Sequence, residues 1–227
     1  MKSRVLITCG PTREPIDPVR FVSNRATGTL GFEIAKAYAA KGHRVTLLHG
    51  PIDIPKLKGV RTVAFETARD LQHLLLKSLP SHDVLYMVAA VADYRPGKIS
   101  ESKIRRKQGG LTLRLVPNED ILKSLGPHKK DKVFVAFSVE PDRIYSNARM
   151  KLLSKNVDWI VSQKVSFKHR PFGSVPMDVT ILNSSGEVKR VRGVSKKALA
   201  ERLRREVTAY ERALAGVRGN LLQYSAR

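Results

Sequence analysis

The sequence predicts an α/β fold in which helices pack on a large, mostly parallel β-sheet. Short apolar runs alternate along the chain with segments whose apolar residues recur at the helical period, and Gly-Pro pairs separate them. Residues 4–8 (RVLIT) predict a buried strand, and Leu30, Ile34 and Tyr38 share one face of a predicted helix. A second apolar run at residues 44–48 follows this helix, so the chain begins with a βαβ unit.

The same alternation continues to the end of the chain. Further strands are predicted at residues 60–65, 83–89, 111–116, 132–137 and 158–161, and a hairpin at residues 177–182 and 187–191. Further helices are predicted after a capping box from Thr67 to Asp70, after Pro117, at residues 143–155 and after a cap at Ser195. The sequence contains no internal repeat or low-complexity linker, which predicts one domain over residues 1–227.

Two polar segments interrupt this alternation. Residues 94–110 have neither a helical nor a strand period, and we interpret them as a long functional loop, the flap. Residues 163–176 form a second predicted loop. Long loops inside a compact domain are typical of lids and binding segments, so both are expected near a site.

The composition excludes several classes of protein. A hydrophobic fraction of 42% can fill a core, which argues against a disordered or fibrous chain. No apolar run reaches the ~18 residues that a membrane span needs, and no signal peptide is recognisable, so a cytoplasmic location is predicted. The single cysteine, Cys9, excludes an internal disulfide framework or a cysteine-clustered zinc site, and we expect it in the core.

The charge predicts an anionic partner. The chain has 42 Lys and Arg against 20 Asp and Glu, a formal net charge of +22. Either nucleic acid, which is bound through phosphate contacts, or a small polyphosphate in a positively charged cleft would explain this excess. The basic residues occur in short groups such as 103–107, 129–132 and 202–205, without an aromatic RNA-binding signature. For most of these groups a solvated surface is the alternative explanation.

Ligands of open α/β sheets bind beyond the carboxyl ends of the strands, and two early loops there carry suitable groups. In residues 10–14 (GPTRE), backbone N–H groups, the Thr12 hydroxyl and the Arg13 guanidinium suit phosphate oxygens. In residues 23–31, Gly28 and Gly31 open the first helix and direct its N-terminus towards an anion. Glycines that serve only turns and close packing are the alternative explanation.

Two later loops complete the candidate site. Residues 89–95 (AAVADYR) would let a ligand lie against the backbone, with Asp93 as a hydrogen-bond acceptor. Residues 103–107 (KIRRK) place four cations on the flap, where they repel one another unless an anion lies between them. The dinucleotide fingerprint G-x-G-x-x-G is absent, which argues against a plain NAD site.

Together these segments resemble one enzyme family. The strings GPTREPIDPVRFVSN, TGxxGxxIA, AAVADYR, KIRRK and AFSVE, in this order, resemble the bacterial phosphopantothenoylcysteine synthetases of coenzyme A biosynthesis. The likeness covers residues 5–210. The flavin-dependent decarboxylase that precedes this unit in many bacteria has no counterpart here, so neither that domain nor flavin is expected.

The resemblance implies a Rossmann-like, three-layer fold and a ligation in two steps. The carboxylate of 4′-phosphopantothenate attacks CTP, pyrophosphate leaves, and the cysteine amine captures the acyl-cytidylate with release of CMP. It also implies a homodimer and Mg²⁺ that accompanies CTP, while no histidine, cysteine or carboxylate cluster predicts a metal site on the protein itself.

The resemblance also implies roles for individual residues. The implied catalytic residues are Asn24 and Lys103. The implied nucleotide-binding residues are Gly10, Ala89, Ala90, Asp93, Lys103 and Phe137, and the implied substrate-binding residues are Arg20, Asn24 and Gly28.

Two other classes of function remain as alternatives. One is a non-catalytic, basic nucleic-acid-binding protein on a Rossmann-like scaffold, although sequence-specific binding is not expected. The other is an NAD(P)-dependent oxidoreductase, which would need a glycine fingerprint and a helical Tyr-x-x-x-Lys pair. Tyr94 and Lys98 have that spacing but lie in a Pro-Gly loop, so the ligase is the preferred hypothesis.

Overall fold

A computed structural model describes residues 2–106, 108–168 and 170–224; Lys107 of the predicted flap lies outside these ranges. The strands of the described part are β1 (Arg4–Cys9), β2 (Arg13–Pro15), β3 (Phe21–Ser23), β4 (Arg44–His49), β5 (Val60–Ala64), β6 (Val84–Met87), β7 (Tyr94–Pro96), β8 (Leu115–Pro117), β9 (Val133–Glu140), β10 (Trp159–Lys164), β11 (Met177–Asn183) and β12 (Val188–Val194). The helices are α1 (Thr29–Ala39), α2 (Ala68–Ser78), α3 (Ile121–Leu125), α4 (Ile144–Ser154) and α5 (Lys196–Tyr224).

The central sheet has eight strands in the order β12-β11-β10-β9-β6-β1-β4-β5. Six neighbouring strands of this sheet, β10, β9, β6, β1, β4 and β5, pair in parallel. Strands β11 and β12 add an antiparallel edge beside β10. The chain runs outwards from β1 through β4 to β5, then returns to β6 on the other side of β1. This reversal is the Rossmann-like topology with its switch point between β1 and β6, so the predicted fold class is confirmed.

Helices cover both faces of this sheet. On one face, Val5 and Ile7 of β1 pack with Ile34 of α1 and Leu203 of α5. On the opposite face, Leu6 packs in a second cluster with residues of α2, α3 and α4. Alternate residues of β1 therefore enter different cores, which explains its uninterrupted apolar run and gives the predicted three layers.

Local signals set the starts of two helices as predicted. Before α2, the Thr67 hydroxyl accepts the Asp70 N–H, and the Asp70 carboxylate accepts the Thr67 N–H in return. Before α5, the Ser195 hydroxyl accepts the Ala198 N–H. Although α5 is long, the helices in the described ranges are not apolar enough over sufficient length to span a bilayer.

The structure differs from the prediction at the two ends of the flap. Tyr94–Pro96 is a strand, β7, which pairs antiparallel with β8. The predicted strand at 111–116 is reduced to Leu115–Pro117, so the flap proper is the connection between these two short strands. The hairpin of β2 and β3 was also not predicted, because three-residue strands carry too little alternation to be recognised.

The contact between α1 and β1 allows no side chain at Gly31. A β-carbon there would lie 2.5 Å from Cβ of Cys9 and 2.9 Å from the Thr8 carbonyl oxygen. Replacing Gly31 with alanine should force the helix away from the strand and lower the free energy of unfolding by about 1–3 kcal/mol. Equilibrium urea denaturation measures this loss.

Gly216→Ala is the matched control, because nothing lies within 4 Å of a β-carbon at this position of α5. Because alanine has a higher helix propensity than glycine, this substitution should raise the free energy of unfolding by up to about 1 kcal/mol. Equal stability of Gly31→Ala and the unmodified protein would contradict the close contact between helix and strand.

Candidate functional site

The loops that follow β1 and β6 are joined beyond the ends of their strands. The Ala90 N–H donates to the Gly10 carbonyl at 2.9 Å, and the Thr12 N–H donates to the Ala90 carbonyl at 3.2 Å. Pro11 and Ala90 form an isolated parallel bridge. The switch point therefore has a fixed floor made of these two loops.

Two buried threonines hold the β6 loop in place. The Thr8 hydroxyl accepts the N–H groups of Val88 and Ala89, each at 3.0 Å. The Thr12 hydroxyl accepts the Ala92 N–H at 3.0 Å. Because both threonines are fully buried, these acceptors satisfy N–H groups that no strand partner reaches.

The side chains of residues 12–14, two of which were expected to suit phosphate oxygens, are engaged within the protein instead. The Thr12 hydroxyl is engaged with Ala92, and the guanidinium of Arg13 lies over the Phe21 ring at 4.5 Å. The buried carboxylate of Glu14 accepts the Ala68 N–H at 2.9 Å. Of this segment, Gly10 lines the cavity described next.

A cavity of about 950 Å³ opens above the floor. Seven of the predicted site residues line it: Gly10, Asn24, Gly28, Ala89, Ala90, Asp93 and Phe137. They come from segments that are far apart in sequence, and the reversal of strand order brings them together. A cavity at this edge of an α/β sheet is the usual position of a ligand site.

The loop before α1 touches the floor of the cavity. The Asn24 side-chain amide donates to the Ala90 carbonyl at 3.0 Å. Gly28, at the N-cap of α1, has a φ of +75°, and a β-carbon there would lie 3.2 Å from the Gly10 nitrogen and 2.1 Å from Cδ1 of Ile52. Glycine at this position lets the start of α1 approach the β1 loop, with its unpaired N–H groups at the cavity.

The far wall is formed by residues that follow β6 and β8. The Asn118 side-chain amide donates to the Ala92 carbonyl at 2.8 Å, and its backbone N–H donates to the Asp93 carbonyl at 2.8 Å. These bonds fix the backbone that carries Asp93. Its carboxylate makes no hydrogen bond within the described ranges, and it lines the cavity as an open acceptor.

Three lysines in the wall of the cavity were missed by the sequence analysis. Lys151 of α4 pairs with Glu140 at 2.6 Å, and Lys155, just after α4, pairs with Asp120 at 3.0 Å. Their spacing of four residues was a usable signal, since it places both on one helix face. Nothing local in the sequence indicated that this face borders the cavity.

Lys196 differs from the other two because its ammonium faces carbonyl oxygens rather than a carboxylate. It donates to the carbonyls of Val175 at 3.1 Å and Pro171 at 3.3 Å, and only 7% of the residue is exposed. Burial lowers the pKa of Lys196. It thereby holds the segment after β10 at the cavity, and the Gly173 N–H secures this segment by donating to the Thr27 hydroxyl at 3.1 Å.

Arg20 and Lys103 do not line the cavity. The Arg20 guanidinium pairs with Asp17 at 3.1 Å and donates to the Ile104 carbonyl at 3.0 Å. Lys103 is exposed on the flap, next to Ile104. The structure therefore joins these two predicted residues to each other, through the flap backbone, rather than to the other seven.

Two further expectations concern metal binding and the single cysteine. In the described ranges, no group of three or more His, Cys, Asp or Glu side chains is arranged to hold a metal ion. Cys9 lies in the core, as predicted, and burial raises the pKa of its thiol to about 12, which leaves it protonated at neutral pH.

The topology and the position of the cavity define a Rossmann-like protein with a ligand site at the switch point. Residues 1–210 match the family described as DNA/pantothenate metabolism flavoprotein C-terminal domain, and the chain belongs to this family. The resemblance drawn from its motifs is thus confirmed.

Relatives of known name carry the same unit. The coenzyme A biosynthesis bifunctional protein CoaBC of Bacillus subtilis (strain 168) is 37% identical over 206 residues, which are 90% of this chain and 51% of that protein. CoaBC of Vibrio cholerae serotype O1 is 38% identical over 187 residues, 81% of this chain and 47% of that protein. The chain therefore spans about half the length of these relatives.

A solved structure agrees with this assignment. The crystal structure of the C-terminal domain of CoaBC has a TM-score of 0.77 and 32% sequence identity, and the match covers 94% of this chain and 96% of that one. The similarity thus lies in the C-terminal part of the bifunctional protein.

The two threonines provide a test of how the floor is built. Thr8→Val removes the acceptor for the N–H groups of Val88 and Ala89, which should cost about 2 kcal/mol of unfolding free energy. If the cavity binds a nucleotide, as the resemblance implies, Thr8→Val should also weaken that binding, because the loop loses its fixed shape. Urea denaturation and calorimetric titration with nucleotide measure the two effects.

Thr8→Ser is the control, since it keeps the hydroxyl in place and should preserve binding. If the valine variant bound nucleotide as tightly as the serine variant, the hydroxyl would have no part in shaping the site.

Proposed function

We propose that the chain is a phosphopantothenate–cysteine ligase. It joins 4′-phosphopantothenate to L-cysteine, consumes CTP and releases CMP and pyrophosphate. One observation carries the proposal: seven of the nine site residues that the resemblance implies, distant in sequence, line one cavity at the switch point. A mutant of Cab2 with the same fold, 18% identical, forms a complex with phosphopantothenate-cysteine.

The first step activates the carboxylate. A carboxylate oxygen of 4′-phosphopantothenate attacks the α-phosphorus of CTP, the bond to the β-phosphate oxygen breaks, and pyrophosphate leaves. Two anions must approach each other, so cations that border the cavity lower the barrier. Lys151, Lys155 and Lys196 lie in its wall, and the N-terminus of α1 adds backbone N–H groups.

Lys103 joins this step from outside the cavity. Because its ammonium is exposed on the flap, the proposed role requires the flap to close over the triphosphate. A cation that arrives with the flap also excludes water, which would otherwise hydrolyse the mixed anhydride.

The second step transfers the acyl group to cysteine. The cysteine amine attacks the acyl carbon, the bond from this carbon to the phosphate oxygen of CMP breaks, and the amine loses a proton. Asn24 suits this step, because one amide hydrogen is fixed on the Ala90 carbonyl and the other remains for the intermediate. A neutral donor holds an acyl-phosphate without repelling it.

Mg²⁺ fits this site as a companion of the nucleotide. It commonly binds proteins through one or two carboxylates together with substrate phosphates. Asp93 lines the cavity with an unengaged carboxylate and would hold it there, whereas Asp120 is paired with Lys155 and the described residues provide no cage of their own. When bound, the ion neutralises charge on the triphosphate.

A homodimer is supported by apolar side chains beside the flap. Val19 and Phe21 are 58% and 45% exposed, and Leu111 and Leu115, on the flap and β8, are 60% and 43% exposed. The β2–β3 hairpin contacts β7, so these side chains belong to neighbouring parts of the surface. We propose that a second copy of the chain covers them, next to the flap of each site.

Part of the excess positive charge lies away from the cavity. Arg143, Lys164, Arg190 and Arg192 line a separate groove of about 650 Å³, and none of them makes an ion pair within the described ranges. This groove does not contribute to the proposed reaction. The absence of sequence-specific nucleic-acid binding and a cytoplasmic location both stay predictions.

The alternative oxidoreductase loses support from the connection between β1 and α1. A dinucleotide site needs a short glycine-rich turn between strand and helix. Here β1 ends at Cys9 and α1 begins at Thr29, and the β2–β3 hairpin lies between them.

The proposal is tested by pyrophosphate release with 4′-phosphopantothenate, nucleotide and cysteine, each omitted in turn. Release should require the acid and the nucleotide, and 4′-phosphopantothenoylcysteine should form only with cysteine present. CTP should exceed ATP in kcat/KM by about 100-fold, because a pocket that hydrogen-bonds the exocyclic groups of one base leaves polar atoms unpaired with another. Equal kcat/KM with ATP would refute the nucleotide assignment, and no product with either nucleotide would refute the ligase.

The two implied catalytic residues should fail at different steps. Lys103→Gln removes the cation that closes over the triphosphate and should slow acyl-cytidylate formation by about 100-fold or more. Asn24→Asp keeps the activating cations and should still release pyrophosphate. Its carboxylate repels the phosphoryl group and faces the Ala90 carbonyl, so transfer to cysteine should slow by about 100-fold.

Single-turnover quench experiments with labelled CTP, with and without cysteine, separate the two steps. Loss of the same step in both variants, or normal activation by Lys103→Gln, would show that this division of roles is wrong.

A further inference from the structure

The flap is attached to the loop between β2 and β3 on both sides of Lys103. On one side, the Ser100 N–H donates to the Ile16 carbonyl at 2.9 Å. On the other, Ile104 is held through both of its backbone polar groups: its N–H donates to the Asp17 carboxylate at 3.1 Å, and its carbonyl accepts from Arg20 at 3.0 Å. Lys103 thus directly precedes a residue whose backbone N–H and carbonyl are both held.

Asp17 is the centre of this attachment. One carboxylate oxygen accepts the N–H groups of Val19 and Arg20, each at 2.8 Å, and the other accepts the Ile104 N–H and the Arg20 guanidinium. The Asp17 side chain has no exposed surface. Burial acts to raise the pKa of this carboxyl, but the three backbone N–H groups and Arg20 hold it below its usual range.

We propose that Asp17 and Arg20 are positioning residues for Lys103. They fix the backbone from which the lysine side chain extends to the β2–β3 loop, so that flap and loop close together and deliver the ammonium to one place. This inference rests on the proposed function, in which Lys103 acts on the triphosphate. It departs from the substrate-binding role that the resemblance implies for Arg20, because the Arg20 guanidinium is engaged with Asp17 and Ile104.

Preorganisation is the physical reason for such an attachment. A lysine on a long loop has many orientations, and each unproductive one lowers the rate of the step that needs its charge. Holding the next residue removes backbone freedom while leaving the side chain mobile. The effect should therefore appear in kcat of the first step and should require the presence of Lys103.

Asp17→Asn separates the flap contact from the local turn. An asparagine can direct its oxygen to the Val19 and Arg20 N–H groups and keep the turn. Its amide nitrogen then faces two donors, the Ile104 N–H and the Arg20 guanidinium, and neither bond can form. The substitution should release the flap without unfolding the loop that carries it.

Limited trypsin digestion with mass spectrometry measures how firmly the flap is attached, and it does not depend on enzymatic activity of the protein. In Asp17→Asn, cleavage of the Lys103–Ile104 bond should become about 10-fold faster relative to cleavage after Lys98. This factor corresponds to the loss of roughly 1.4 kcal/mol of local hydrogen bonding. Asp142→Asn, a change at an exposed aspartate beside the separate basic groove, should leave the ratio unchanged. An unchanged ratio in Asp17→Asn would overturn the attachment.

A double-mutant cycle tests whether Asp17 acts through Lys103. Asp17→Asn should lower kcat for acyl-cytidylate formation by about 10-fold or more with little change in KM for CTP. In the Lys103→Gln background the same change should have almost no effect, because the side chain being positioned is absent. Equal losses in both backgrounds would assign Asp17 an independent role and overturn the proposal.

Arg20→Lys provides a second variant should Asp17→Asn lower the melting temperature. It keeps a charge beside Asp17, but an ammonium does not span the carboxylate and the Ile104 carbonyl as the guanidinium fork does. The same faster cleavage and the same dependence on Lys103 are expected, and failure of both would overturn the proposal. If the unmodified protein formed no acyl-cytidylate, the proposed function would fail while the digestion result still decided the attachment.

Discussion

The hydroxyl groups of Thr8 and Thr12 fix the loop after β6, and the position of the cavity depends on this loop. Beyond the last paired residues of β1 and β6, the backbone N–H groups of residues 88, 89 and 92 have no strand partner, and the threonine oxygens accept them. Without these bonds the loop would turn towards water to satisfy its donors. With them, Ala90 meets Gly10 and offers its carbonyl to Asn24.

Much of the fold could be predicted because its signals are local. The apolar run of β1 and the capping box of Thr67 and Asp70 each depend on a few neighbouring residues, and the structure confirms both. The strand β7 could not be predicted, because its partner β8 lies some twenty residues further along and three residues show no periodicity. Pairing over such a distance is a property of the tertiary structure.

The candidate site was predicted in part, for a similar reason. Gly28 was identified from its position before a helix, and the structure gives it a left-handed backbone and a close approach to Gly10. The Thr12 hydroxyl is engaged with the Ala92 N–H instead, since a hydroxyl that suits phosphate also suits a backbone N–H, and the sequence does not distinguish them. Lys151 and Lys155 were missed because only the packing of α4 on the sheet brings their helix face to the cavity.

Lys196 links ligand affinity to the stability of the fold. Its buried ammonium donates to two carbonyl oxygens, and its lowered pKa means that the folded chain binds this proton less strongly than the unfolded chain does. Protonated Lys196 therefore disfavours the folded state, and its contribution to stability becomes more favourable as pH rises through the lowered folded-state pKa. An anion bound in the same cavity would reverse this effect by favouring the charged form. Binding of such an anion and folding would therefore be thermodynamically linked through the protonation of one buried lysine.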